Sequence, residues 1–265
     1  MRNHPIVINV MSTSLLTSDF KNIFFCIQAR LSSARLPEKV LKTIGNDTLI
    51  DHIINRLLLI TPKENILFAI PHEDDKLSAL IEKREIKFVT GDNKNVLSRF
   101  FNALSGIDDK SIVFRITADN PFIDTQAILM LASQLIKTKD DYAHTKNIPL
   151  GMGCEAFRKD ALWSLKDKKL SNHHKEHVTV YFREYKDEFN ISTVQMHDTD
   201  YSKLIRMTVD EENDLKMAKK VFDYFHKAGN IYFNSHDVIQ LFEQDPSFFN
   251  INRSISQKSE FVYER

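Results

Sequence analysis

The chain has almost no cysteine: Cys26 and Cys154 are the only two in 265 residues, and they form no C-x-x-C pair. A disulfide framework is thereby excluded as the source of stability, and a reducing, cytoplasmic setting is expected. Net charge is absent as well, with 36 Lys plus Arg against 36 Asp plus Glu. No global field draws the protein to nucleic acid or anionic lipid, so any polyanion has to be held by a local cluster. No apolar run approaches the roughly 20 residues of a membrane helix. The apolar patch at 5–11 lacks the basic start and continuous core of a signal peptide. Repeats, Pro-rich linkers and low-complexity tracts are missing too, and there is neither a Walker loop nor a G-x-G-x-x-G. One domain over residues 22–250 is therefore expected, between a loosely ordered extension, 1–21, and a polar tail, 251–265, that frays.

What is present is an alternation of strands and helices. Residues 22–28 form a short apolar run without polar interruption, as in a strand covered on both faces. From Thr48, a plausible cap, Leu49, Ile50, Ile53, Ile54, Leu57 and Leu58 recur along one helical face. Strands at 65–70, 86–90 and 111–117 follow, with helices at 74–83, 95–104 and 125–137. Four such units predict an α/β fold with a mainly parallel sheet and helices on both faces. Further on the pattern predicts strands at 155–157, 191–195 and 204–209, and helices at 174–185, 211–226 and 237–243.

Ligands in such sheets bind beyond the carboxyl ends of the strands, which directs attention to three loops. The first, Gln28-Ala29-Arg30-Leu31-Ser32-Ser33-Ala34-Arg35-Leu36-Pro37-Glu38-Lys39, carries three cations directly after a buried strand. Guanidinium forks and an ammonium suit a triphosphate, and small residues between them let backbone N–H groups approach it; a solvated basic turn is the plainer alternative. The second, Arg115-Ile116-Thr117-Ala118-Asp119-Asn120-Pro121, puts an acid just past a central strand. Asp119 is either a turn residue or a ligand for Mg²⁺, which takes one or two carboxylates plus phosphate oxygens. The third, Arg206-Met207-Thr208-Val209-Asp210-Glu211, again ends an apolar run in Asp, where capping and metal binding are both open.

In these stretches the chain resembles the spore-coat-polysaccharide-type cytidylyltransferase-like proteins, relatives of the CMP-Kdo and CMP-sialate synthetases. Residues 28–41 are similar to that family's Q-A-R-x-x-S-x-R-L-P-x-K-V-L, and Arg115 to Asp124 to R-I-T-x-D-x-P-x-I-D. Gly91 with Val96-Leu97 and Arg99-Phe100, Glu176-His177-Val178-Thr179, and Arg206 to Leu215 supply three further matches in the family's order. The resemblance implies a Rossmann-like nucleotidyltransferase fold of the glycosyltransferase-A type, in three layers. It also implies CTP as nucleotide, Mg²⁺ as cofactor and a sugar-type acceptor; a homodimer is expected apart from the resemblance. Nucleotide binding would fall to Gln28, Ala29, Arg30, Ser33, Arg35, Lys39, Gly91 and Arg115, the metal to Asp119 and Asp210, and catalysis to Arg30, Lys39, Asp119 and Asp210. Glu155, Glu176 and His177 would face the acceptor.

Ser32 and Glu38 stand where relatives carry Gly, and Gly153 where they carry an acid. The cradle is then expected to be narrower, with a negative charge beside the triphosphate and altered acceptor binding. Two other functions compete: an inactive nucleotide-binding scaffold of a polysaccharide pathway, and a glycosyltransferase using Asp198-Thr199-Asp200 or Asp108-Asp109.

Overall fold

The protein is described by a computed structural model covering residues 19–257. The extension expected over 1–21 falls mostly outside the described residues, as does the tail beyond 257. A 3₁₀ turn, Asp19–Asn22, leads into β1 (Ile23–Gln28). A two-stranded hairpin, β2 (Thr43–Ile44) and β3 (Asp47–Thr48), precedes α1 (Leu49–Leu57). Next come β4 (Ile66–Pro71), α2 (Asp75–Lys83), β5 (Lys87–Gly91), α3 (Val96–Ala103), β6 (Ile112–Thr117) and α4 (Thr125–Thr138). The second half holds β7 (Tyr142–Lys146), β8 (Glu155–Arg158), α5 (Lys159–Trp163), α6 (Asn172–Glu176), α7 (Val180–Glu184) and β9 (Ile191–Gln195). Two longer helices, α8 (Glu212–Lys227) and α9 (Ser235–Gln244), follow.

Seven strands join in the order β5-β4-β1-β6-β8-β7-β9. The pairs β5/β4, β4/β1, β1/β6 and β7/β9 are parallel, while β8 runs antiparallel to both β6 and β7. The uninterrupted apolarity of β1 follows from burial on both faces. Phe25 and Ile27 enter a core shared with α1, α2, α4, α8 and α9, whereas Cys26 points into the opposite core with α3, α5 and α7. The mainly parallel three-layer fold expected from the strand-helix alternation is therefore the one observed.

Local signals account for most helix starts. Thr48 and Asp51 form a reciprocal capping box, Asn95 accepts from the Ser98 N–H, and Asp124 accepts from Gln126 and Ala127. Asp74, at the cap position of α2, is diverted: its Oδ2 accepts the Leu31 N–H at 2.8 Å and pins the basic loop instead.

Three expectations are corrected. Residues 174–185 are not one helix but α6 and α7, separated where the His177 carbonyl accepts from both Thr179 and Val180 and Val178 takes φ +33°. Turning the chain there sends Val178 into the smaller core and Thr179 to Glu155. Residues 204–209 form no strand; they make a single parallel bridge between Leu150 and Arg206. Gly151, at φ +91°, permits that crossing, because a Cβ there would lie 2.8 Å from Thr208 Cα. Gly151→Ala is expected to cost at least ~1–3 kcal/mol from backbone strain alone, read as a lowered urea midpoint; an unchanged midpoint would show that the crossing can relax. The start of the polar tail is packed rather than frayed, with Asn252 buried and donating to the Arg206 carbonyl (3.0 Å) and to Asp214 Oδ1 (2.9 Å).

Candidate active site

A cleft of about 520 Å³ opens over the carboxyl ends of β1 and β6. The loop after β1, the 117–120 turn after β6, the Leu150–Gly151 crossing and the 208–210 segment wall it. Three hydrogen bonds assemble it. Ala118 N–H donates to Gln28 O (3.1 Å), Glu38 N–H to Leu31 O (3.2 Å), and Val209 N–H to Asp119 O (2.8 Å). The last one sets the two strand-end acids side by side although they are far apart in sequence.

Lys39 Nζ lies 2.9 Å from Asp119 Oδ2 and 2.9 Å from Asp210 Oδ1. Arg35 reaches Asp210 (3.2 Å) and Glu211 (3.1 Å), and Arg206 holds the other Asp210 oxygen at 2.8 Å. Burial opposes the charge on Lys39, but the two aspartates outweigh it and its pKa is raised. Burial likewise raises Asp119, yet the ammonium and its hydrogen bond prevail and the carboxyl is held below its ordinary value. Two carboxylates converging on one cation are a fit for a divalent metal. Among the described residues no group of three or more His, Cys, Asp or Glu could hold one. Asp119 and Asp210 are the two acids of this cleft that could hold a hard cation such as Mg²⁺, which takes one or two carboxylates and fills its shell with phosphate and water oxygens.

Gln28, Ala29, Arg30, Ser33, Arg35, Lys39, Arg115, Asp119 and Asp210, assigned to nucleotide, metal and catalysis by the resemblance, are brought together in the wall of this cleft. Glu176 and His177, expected on an acceptor side, line the same cleft; Glu176 stands 3.5 Å from Arg30 in an exposed pair. Gly91 is not in the cleft wall. It is buried behind Arg99, and a Cβ there would meet Arg99 Cγ at 2.8 Å. Glu38, at φ +51°, turns its carboxylate away to Lys76 (2.7 Å), so the charge expected beside the triphosphate is neutralised on the outer side. Arg99, Asp74, Arg206 and Asp214 were given no role from sequence, although Arg206, Asp210 and Asp214 have the i, i+4, i+8 spacing of a charge ladder.

A second cavity of about 370 Å³ shares Arg115, Thr117, Asn120, Leu150 and Gly151 with the first. Glu155 lies here, accepting from Arg115 Nη1, Tyr142 OH (2.5 Å) and Thr179 Oγ1 (2.9 Å). Burial raises its pKa, but Arg115 and then Arg183 overcome that and bring it down to about 2. A lowered folded pKa gives stability that is complete above the unfolded value and lost as pH falls towards the folded one. Glu155 should contribute on the order of 3 kcal/mol at neutral pH. Urea unfolding of wild type and Glu155→Gln should therefore converge between about pH 4.5 and about 2; parallel profiles through that window would refute the assignment. At Gly153 a Cβ would lie 2.8 Å from Thr145 Oγ1, which bonds both the N–H (2.9 Å) and the carbonyl (3.1 Å) of Cys154. The space a relative's acid would need is filled by that threonine. Of the acids weighed for a glycosyltransferase, Asp200 is committed to Ser202 (2.6 Å) and Lys203 (3.0 Å).

A family model described as cytidylyltransferase matches residues 24–238, which include every wall of the cleft but Gln257. The chain belongs to the cytidylyltransferase family. It is 26% identical over 232 residues to the spore coat polysaccharide biosynthesis protein SpsF of Bacillus subtilis, covering 85% of this chain and 95% of that one. Its fold is similar to that of a cytidylyltransferase from Leptospira borgpetersenii, with TM-score 0.79, 23% identity, and 90% and 99% of the two chains covered. CMP:2-keto-3-deoxy-manno-octonic acid synthetase, solved with CTP, superposes with TM-score 0.60 at 16% identity over 77% of this chain and 99% of that one. As in open α/β sheets generally, the cleft lies over the carboxyl ends of the parallel strands. Among the described residues no helix is long and apolar enough to cross a membrane.

Proposed function

We propose that the protein is an Mg²⁺-dependent cytidylyltransferase that transfers CMP from CTP to a sugar, sugar acid or sugar or alditol phosphate, for surface polysaccharide or glycoconjugate synthesis. The observation that carries this reading is the convergence of Asp119 and Asp210 on one cation within a cleft lined by Arg30 and Arg35. Membership of the cytidylyltransferase family and the likeness to SpsF and to a CTP-bound synthetase support it.

In the reaction an acceptor oxygen, either an ionised phosphate oxygen or a hydroxyl that gives its proton up to water, bonds to the α-phosphorus; the bond from that phosphorus to the bridging oxygen breaks, and pyrophosphate leaves with its electron pair. Bound Mg²⁺ would supply charge neutralisation at the phosphate oxygens. Lys39 would exchange its two carboxylates for phosphate oxygens, and Arg30 and Arg35 would neutralise charge building on the leaving group. Asp119 and Asp210, held by Arg206 and the Val209 N–H, would keep their oxygens pre-set. The second cavity would take the acceptor, since it meets the first at Arg115–Asn120.

Pyrophosphate release, measured with each nucleoside triphosphate against a panel of sugar acids and sugar phosphates, tests the reading. Release with CTP and one acceptor class is expected. Tight nucleotide binding without release for every acceptor would favour the scaffold.

A further inference from the structure

Lys39 Nζ occupies the point on which the two strand-end acids converge, 2.9 Å from Asp119 Oδ2 and 2.9 Å from Asp210 Oδ1. Its backbone is fixed in the 3₁₀ turn Lys39–Leu41, with Val40 buried behind it, so the four-carbon stem is the part left to move. The side chain is largely enclosed, 14% exposed. Asp210 has little freedom to turn elsewhere, because Arg206 holds its Oδ2 at 2.8 Å and Arg35 shares its Oδ1 at 3.2 Å. Asp119 is tethered through its carbonyl, which accepts the Val209 N–H at 2.8 Å. The oxygens that a divalent ion would use are therefore already bridged by a cation of this chain.

One cation at a time can bridge that pair. Mg²⁺ needs its oxygens at about 2.0–2.1 Å, and an ammonium bonded to the same two oxygens repels a second cation at that range. A free metal ion would have to expel the ammonium, and the cleft offers the lysine no spare carboxylate. The third acid in the wall, Glu176, stands beside Arg30 (3.5 Å), and Arg30, Arg35, Arg99 and Arg115 there are all cations. An expelled, largely enclosed ammonium without a counter-charge is unfavourable. A triphosphate removes that cost, since it carries metal to the carboxylates and phosphate oxygens to the lysine together. Resting on the nucleotide reading of this cleft, we propose that Lys39 is a stand-in cation: it closes the Asp119–Asp210 pair to free divalent ions and yields it to a metal–nucleotide complex. Before that complex arrives, the ammonium keeps aligned two carboxylates that would otherwise repel each other. The species this site takes up is then the metal–triphosphate complex, rather than free metal followed by nucleotide.

The experiment is titration with Mn²⁺ in the absence of nucleotide, read by the paramagnetic resonance of free Mn²⁺, on wild type, Lys39→Met and the Lys39→Met/Asp119→Asn/Asp210→Asn triple variant. Methionine keeps an unbranched stem and removes the charge. Lys39→Met should bind Mn²⁺ alone at least ~10-fold more tightly than wild type, the gain expected when a repelling unit charge leaves a partly buried site. The triple variant should lose that gain. Melting curves give a second reading: Mn²⁺ should raise the Tm of Lys39→Met and leave that of the other two proteins unmoved. Preformed Mn²⁺–CTP should show the opposite order, wild type binding it at least ~10-fold more tightly than Lys39→Met because the phosphate has lost its ammonium. A lysine that only supports the fold would, once removed, weaken the binding of metal and complex alike. Free Mn²⁺ bound equally by wild type and Lys39→Met, or a gain that survives in the triple variant, would overturn the proposal. Failure of wild type to bind Mn²⁺–CTP would instead remove the nucleotide reading, and release by nucleotide with it, whatever free Mn²⁺ does.

Discussion

Asp210→Asn is expected to lower kcat by about 10³-fold, the equivalent of several kcal/mol of transition-state stabilisation. Asp210 is the acid on which the cluster turns. One oxygen meets Lys39 (2.9 Å) and Arg35 (3.2 Å), and the other meets Arg206 (2.8 Å). An amide retains one acceptor but loses the charge, so metal affinity and the alignment of both cations fall together. Some loss of stability, about 1–3 kcal/mol, accompanies it because charge-assisted bonds to Arg206 become ordinary ones. Asp119→Asn separates the two effects. Its side chain is 27% exposed and among the described residues its one ion pair is with Lys39, so a similar fall in kcat should come with a smaller shift in Tm. Steady-state kinetics beside melting curves check both, and turnover of Asp210→Asn within tenfold of wild type would remove the acid pair from the chemistry.

Arg206→Met should be the most destabilising single change near the site. Arg206 is 9% exposed and donates to Asp214 (2.9 and 3.2 Å), to Asp210 (2.8 Å) and to Gln257. The Asp214 side chain has no exposed surface. Its remaining partners are the Asp210 and Glu211 N–H groups at 3.0 and 3.1 Å and Asn252 at 2.9 Å. Taking away the guanidinium leaves a buried carboxylate without a counter-charge, a loss of about 3–5 kcal/mol. For a chain of this size that is a fall in Tm of roughly 10 °C. A shift of only a degree or two would show that water replaces the arginine. The same contact explains why the chain from 246 to 257 belongs to the site: Asn252 and Gln257 close over Arg206, and Gln257 reaches the cleft wall.

Strands β1, β4 and β6 were legible because two-sided burial writes itself as largely apolar runs, and α1, α3 and α4 because Thr48, Asn95 and Asp124 cap them. Strand β7 left no such trace. Tyr142-Ala143-His144-Thr145-Lys146 is half polar since it borders the second cavity, and only its first two residues are buried. The break between α6 and α7 was hidden for a related reason. The helical spacing of 174–185 is good locally, and only the tertiary demand of Glu155 on Thr179 turns the chain. In the site, the residues with unusual local chemistry, three cations in ten residues and acids ending two apolar runs, were found. Arg99 and Asp74 escaped because each looks like a common helix residue, although Arg99 turns back to the carbonyls of Asp92 and Asn93 and Asp74 reaches the Leu31 N–H in the loop after β1. Glu155 shows the converse: a recognisable acid whose oxygens are all committed to Arg115, Tyr142 and Thr179.

The central claim is that Asp119 and Asp210 form a cation site completed by the phosphates of CTP. Calorimetry of CTP binding with and without Mg²⁺, on wild type and on the Asp119→Asn/Asp210→Asn double variant, tests it most directly. Micromolar binding that needs Mg²⁺ and weakens at least ~100-fold in the double variant is predicted, since each lost carboxylate removes a metal ligand. CTP binding of equal strength without metal, or equal strength in the double variant, would contradict it.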